Sequence, residues 1–347
     1  MTQPGQTRGA RFRAAATPHG VALDQLERWA RAYARLAQGA DPDALHDFRV
    51  ALRRLRSTLR AFRTEFTADI PRRTRRRLRR LAGASGLSRD LEVQRAWIRA
   101  QQESLPPEAR PGAEWLLERL DRRQRAADAR FTRRLGNVYD RLERRLRRAL
   151  QAPDIAPRTA SSRRRASAMV LVRRMIREGT AEFRRELRAV HSLADREHAH
   201  AARIAAKRLR YLLEPFAADL PDAEPAVAEL TALQDLLGEL QDRHTLAGEL
   251  RSAFGEAALE EARRQCNELL PWPDAGRART GRPPSDAHAG LVTLCLRLSA
   301  QCDDCFTRLE QEWLDHRADR LVVALSAIGA ARPPRRRVTR ERRGAER

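Results

Sequence analysis

Residues 46–60 read H-D-F-R-V-A-L-R-R-L-R-S-T-L-R, and the spacing of two residue types within them decides the fold. Wound as an α-helix at roughly 100° per residue, the stretch gathers His46, Arg49, Arg53, Arg56 and Arg60 into an arc of about 80°. Leu52, Leu55 and Leu59, continued by Phe62 and Phe66, fall on an adjoining face. The basic stripe therefore borders the buried side of the helix, a placement that suits a cavity wall. From residue 200 the chain reads H-A-A-R-I-A-A-K-R-L-R-Y, which sets His200, Arg203, Lys207 and Arg210 at the offsets of His46, Arg49, Arg53 and Arg56. A pattern written twice predicts two related halves.

The composition says what such a stripe could meet. The 347 residues include 69 basic and 46 acidic side chains, a formal net charge of +23, and the isoelectric point is about 11.4. A polyanionic partner follows: nucleic acid, an anionic membrane or an inorganic phosphate polymer. Lys207 is the single lysine, so the charge is almost wholly guanidinium, whose planar fork grips phosphate oxygens two at a time. No run of some 18 apolar residues appears, so no span of a bilayer is expected. The four cysteines come late in the chain and no secretory signal opens it, which favours a reducing cytoplasm.

Read in order, residues 1–20 are expected to be a mobile arm. Leu23, Leu26, Trp29, Tyr33 and Leu36 predict a helix over Val21–Gln38, ended by Gly39. Asp41 and Pro42 form an N-cap and first-turn pair that starts the helix of the quoted stretch, expected to reach the region of Thr67. Pro71 opens a basic helix, Arg72–Leu81, which the Gly83–Gly86 region is expected to close before another begins near Ser88. Long helical patterns cover about 112–151 and 164–190. The segment 153–163 is the expected linker between a first repeat, 21–152, and a second, 164–331. In the second, helices are predicted over about Ala194–Phe216, Val227–Leu240 and His288–Arg317, with a long loop at 271–288. Residues 332–347 read as a disordered basic tail. Strand signals are nearly absent, and the fold class is all-α.

Four stretches carry a resemblance: H-D-F-R-V-A-L-R-R-L-R at 46–56, S-R-D-L-E-V at 88–93, H-A-A-R-I-A-A-K-R-L-R-Y-L-L-E at 200–214, and L-Q-D-L-L-G-E-L-Q-D at 233–242. With them the chain resembles the CHAD family, the conserved histidine α-helical domains, from about Val21 to Arg320. The resemblance implies two pseudo-twofold-related helical bundles around a central basic pocket or tunnel that binds inorganic polyphosphate. By position it assigns His46, Arg49, Arg53 and Arg56, with His200, Arg203, Lys207 and Arg210, to the wall. Arg60 extends the first stripe, and Arg89 stands in a G-x-x-[RQ]-D turn where the second half has Gln241. Glu214 and Pro215 interrupt the second stripe beyond Arg210.

The residues argue part of this without the family. Polyphosphate has no bases, so it needs rows of cations and no stacking platforms, and aromatic residues are 5% of the chain and not interleaved with the stripe. Single-strand nucleic-acid binding usually relies on such platforms. Sequence-nonspecific nucleic-acid binding is the alternative, and an enzyme acting on phosphate chains is the third reading. No nucleophile–base pair, Walker-type loop or acidic metal cluster is found, so no cofactor, metal or catalytic residue is assigned. Asp90 and Asp242 either satisfy amides at helix N-termini or hold wall arginines in place. Arg72–Arg80 and Arg141–Arg148 read as solvated faces. Cys295, Cys302 and Cys305 share one helical face and read as buried small hydrophobes more than as zinc ligands. A polyphosphate-binding module that targets or scaffolds polyphosphate granules in the cytoplasm is the expectation.

Overall fold

The computed structural model describes residues 17–38, 43–151, 158–269 and 287–330. Gly39, Asp41 and Pro42, most of the arm, part of the linker, nearly all of the 271–288 loop and the tail lie outside the described residues. Nine α-helices follow in order among the described residues: α1 (Pro18–Gln38), α2 (Ala44–Ala61), α3 (Arg72–Gln102), α4 (Arg110–Leu150), α5 (Arg158–Arg188), α6 (Arg196–Leu213), α7 (Ala223–Leu269), α8 (Ala287–Leu309) and α9 (Arg317–Ala330). No strand occurs among them, as the all-α reading requires.

Several boundaries differ from the sequence reading. Helix α1 begins at Pro18, inside the expected arm, because Val21 and Ala22 are already buried. Helix α2 ends at Ala61 and not near Thr67. Past it, Phe66 N–H bonds the Phe62 carbonyl and Ile70 N–H bonds that of Phe66, and all three side chains are buried. The apolar spacing of four thus outlives the regular helix, which is why the sequence reads longer.

The Gly83–Gly86 stop does not exist, and α3 runs straight through it. Leu78, Leu81, Ser85, Ser88 and Leu91 keep one buried face unbroken, and an interior glycine costs only about 1 kcal/mol against alanine, which packing outweighs. The same holds for Gly238 in the 47-residue α7. The G-x-x-[RQ]-D segments are therefore helix interiors and not turns, so Asp90 and Asp242 are not N-terminal acids. The helix expected over His288–Arg317 breaks instead into α8, a π-helical turn at Glu310–Leu314, and α9.

Buried apolar residues form two clusters. The larger joins α1, α2, the start of α3, the end of α4, α5, α6, the first half of α7, the end of α8 and α9. The smaller joins the far half of α3, the start of α4, the second half of α7 and the start of α8. Each draws on both sides of residues 153–163. Between them α3 and α4 place polar side chains, where Ser88 Oγ donates to Asp128 at 2.6 Å and Gln124 Nε2 donates to Ser88 at 3.0 Å. Helices α4 and α8 meet at Gly112 and Gly290, where a methyl on Gly112 would lie 2.3 Å from the Ala287 carbonyl oxygen and one on Gly290 2.2 Å from that of Ala109. Helix α2 also touches α6, and α3 touches α7.

Candidate functional site

A cavity of about 460 Å³ opens where α2 and α6 face each other, with α5 closing one side. Its cationic wall is Arg53, Arg56 and Arg60 from α2 with Lys207 and Arg208 from α6. The apolar face of α2 is anchored by Phe48, Leu52, Leu55 and Leu59, all at most 2% exposed, and this fixes the azimuth of the stripe one step away. On α6, Ala202, Ala205, Ala206 and Leu209 do the same. Small residues here let the helix pack close, and a methyl on Gly179 of α5 would lie 2.9 Å from Leu209 Cδ2.

Charge in this wall is not balanced. Burial first, then Arg53, Arg203, Arg210 and Arg56, lower Lys207 from 10.5 to about 7. Burial, Arg79 and Arg60 hold Arg56 below the ordinary guanidinium range. Burial, Arg208 and Arg79 do so for Arg60, against the opposing pull of Glu182. Two carboxylates line the α5 side, and one of them, Glu182, is taken by Arg208 at 2.7 Å. Arg53 donates through Nε to the Tyr211 hydroxyl at 2.8 Å. The Tyr211 ring lies beneath Arg54 and Arg210, with guanidinium carbons 5.7 and 4.9 Å from its centroid. Buried and covered by cations, it offers no face on which a base could stack.

The remainder of the predicted stripe is engaged differently. Arg49, whose side chain is 10% exposed, donates to Glu92 at 3.2 Å and to Ser88 at 2.8 Å. Arg203 lies beside Gly238, and it and Arg49 act on Asp90, which burial and Asp242 nevertheless raise above the ordinary carboxylate range. Burial likewise raises Asp242, opposed by Arg203 and Arg89. Arg89 is exposed and reaches Glu92 at 3.5 Å. Arg210 is bound by Glu214 and Gln234, both at 3.2 Å, and α6 ends at Leu213 before the Glu214–Asp219 3₁₀ turn that holds Pro215. His200 shares a 2.8 Å hydrogen bond with Gln241, and His46 is exposed. Of the ten residues predicted for the wall, then, Arg53, Arg56, Arg60 and Lys207 line the cavity. His46, Arg49, Arg89, His200, Arg203 and Arg210 do not.

Sequence reading missed Arg208, Arg79 and Tyr211. Arg208 falls one position outside the stripe arc, and Arg79 sits in a run read as solvated. Nothing in the sequence says which arginine of such a run turns toward another helix. All four cysteines are free thiols; Cys305 is buried and Cys295 and Cys302 half-buried, and burial raises these three above the ordinary thiol range. No group of three metal-ligating side chains gathers among the described residues, and none of the described helices is long and apolar enough to cross a membrane.

The described chain is an all-helical domain in which a row of cations lines a cavity. The chain belongs to the CHAD domain family, whose sequence profile matches residues 20–251. It is similar to the CHAD domain of the plant Ricinus communis, known from a crystal structure, at 21% identity over 92% of each chain with a TM-score of 0.56. It is also similar to PptA from Streptomyces chartreusis, at 15% identity over 86% of this chain and 98% of that one, with a TM-score of 0.61. These likenesses are of fold. No curated protein matches the chain.

Proposed function

We propose that the chain is a binding module for inorganic polyphosphate, held in the cavity between α2 and α6, and that it serves to target or scaffold polyphosphate granules in the cytoplasm. The observation that carries this reading is the crowding of Arg53, Arg56, Arg60, Lys207 and Arg208 around one cavity with too few carboxylates to neutralise them. Such an arrangement disfavours the empty state and is relieved by a ligand that brings closely spaced negative charge. Membership of the CHAD family supports the same ligand class. The pairing of α2 with α6 and of α3 with α7 fits a pseudo-twofold relation between the halves. The reading is of a binder and not an enzyme.

Competition distinguishes polyphosphate from nucleic acid. Long-chain polyphosphate and duplex DNA are offered at equal phosphate concentration and physiological salt. Polyphosphate is expected to displace DNA, and displacement in the opposite direction would overturn the proposal. Affinity should also fall steeply with added salt, because each phosphate contact releases condensed counterions.

A further inference from the structure

Outside the cavity, the first half of α3 is a densely basic part of the described surface. Residues 71–89 contain eight arginines and neither Asp nor Glu. Arg72, Arg76 and Arg79 are exposed, and their spacing of four and three places them on one flank of α3, away from the buried Thr74, Leu78 and Leu81. Several surface arginines of other helices sit beside acids of their own helix, as Arg147 does with Glu143 at 2.6 Å and Arg122 with Glu118 at 3.8 Å. Helix α3 has no acid in its first turn. Arg72 and Arg73 there oppose the positive end of the helix dipole, so folding alone does not favour them.

This flank is continuous with the cavity. Helix α3 packs against α2, with Arg75 bonding the Phe66 carbonyl just past the end of α2, and Arg79 adds to burial in lowering Arg56 and, after Arg208, Arg60, the last two cations of the α2 wall. Further out, burial, then Arg63 and Arg72, lower Arg75. Arginines with no carboxylate partner among the described residues therefore run from the cavity mouth back along α3 toward its N-terminus. A polymer longer than the cavity has to leave it, and a flexible chain of evenly spaced negative charges finds its next favourable contacts there.

We propose that the α3 flank formed by Arg72, Arg76 and Arg79 is a second polyphosphate subsite, which takes the length of polymer emerging from the cavity and gives the protein a preference for long chains. The proposal rests on the cavity reading above.

The test pairs two ligands with one double variant, Arg72→Gln with Arg76→Gln, both outside the cavity. Affinities for tripolyphosphate and for long-chain polyphosphate are measured over a range of salt. The variant is expected to lose about tenfold on the long chain, two charge-assisted phosphate contacts, with a slope of log affinity against log salt shallower by roughly 1.4. Its tripolyphosphate affinity should change by less than about twofold, the scale of an exposed charge acting at a distance. Its thermal midpoint should hold or rise, because the lost cations opposed the helix dipole. An unchanged long-chain affinity, or equal losses on both ligands, overturns the subsite. Wild-type protein that binds neither ligand overturns the cavity reading itself, which is a different result from a long-chain effect that fails to appear.

Discussion

Proton uptake on binding is the sharpest consequence of the cavity's electrostatics. Lys207 is lowered from 10.5 to about 7, and at 1.36 kcal/mol per unit this amounts to a penalty on its ammonium form on the order of 5 kcal/mol. In the empty protein the folded state therefore holds fewer protons than the unfolded state between about pH 7 and 10.5, so stability rises with pH across that window. A polyanion in the cavity favours the ammonium and raises its pKa. Binding above pH 7 must then draw in up to one proton, and affinity should fall by as much as about tenfold per pH unit until the pKa of the complex is passed. Calorimetric titration with long-chain polyphosphate at pH 8, in two buffers of different ionisation heat, counts those protons. Long chains keep the few terminal phosphates, which titrate near pH 6, from contributing. Lys207→Arg holds its charge throughout and should bind without proton uptake. Equal uptake in both proteins, or none in the wild type, would refute the reasoning.

Arg56→Gln removes a cation that Arg79 and Arg60 already crowd, so polyphosphate affinity should drop while the thermal midpoint of the empty protein holds or rises; Arg144→Gln, on an exposed face of α4, should alter neither by much. Gly112→Ala would set a methyl 2.3 Å from the Ala287 carbonyl oxygen. Forcing α4 from α8 should destabilise the fold by about 1–3 kcal/mol in thermal denaturation. Gly136→Ala, where a methyl meets nothing within 4 Å, should instead stabilise by roughly 0.5–1 kcal/mol.

The stripe of α2 was legible because its charges and its leucines obey the same helical period, and the structure puts Leu52, Leu55 and Leu59 inside and the arginines at the edge. What the period could not show is that the stripe divides. Arg49 is taken by Glu92 from α3, 43 residues away, and Arg203 acts on Asp90 and Asp242 from two helices. Such partners come from tertiary packing, and no spacing within one helix announces them. For the same reason Arg49 and Arg203 make poor targets for charge reversal: a change there breaks the part-buried Arg49–Glu92 pair and sets an acid beside the buried Asp90 and Asp242, which disturbs the fold before it informs on binding. The glycines of α3 misled in the other direction. Gly83 and Gly86 carry the local signature of a stop, yet they occupy the open side of a helix whose opposite face is tied down from Leu78 to Leu91.

The glycine crossing of α4 and α8 has a mechanical meaning. Helix α4 extends from this crossing to Leu150, a rod of roughly 57 Å at 1.5 Å per residue. A rotation of about 5° at Gly112 would sweep its far end through about 5 Å, by the geometry of a rod of that length. That far end carries Phe131 and Tyr139, whose rings pack on Phe48 and Trp29 behind α2. The helix that backs the apolar face of α2 is thus the same one that meets α8 across two bare backbones near its start. Because no side chain stands between them, their crossing angle is set by contact of main chain on main chain, and it leaves a drifting sequence little room to retune it.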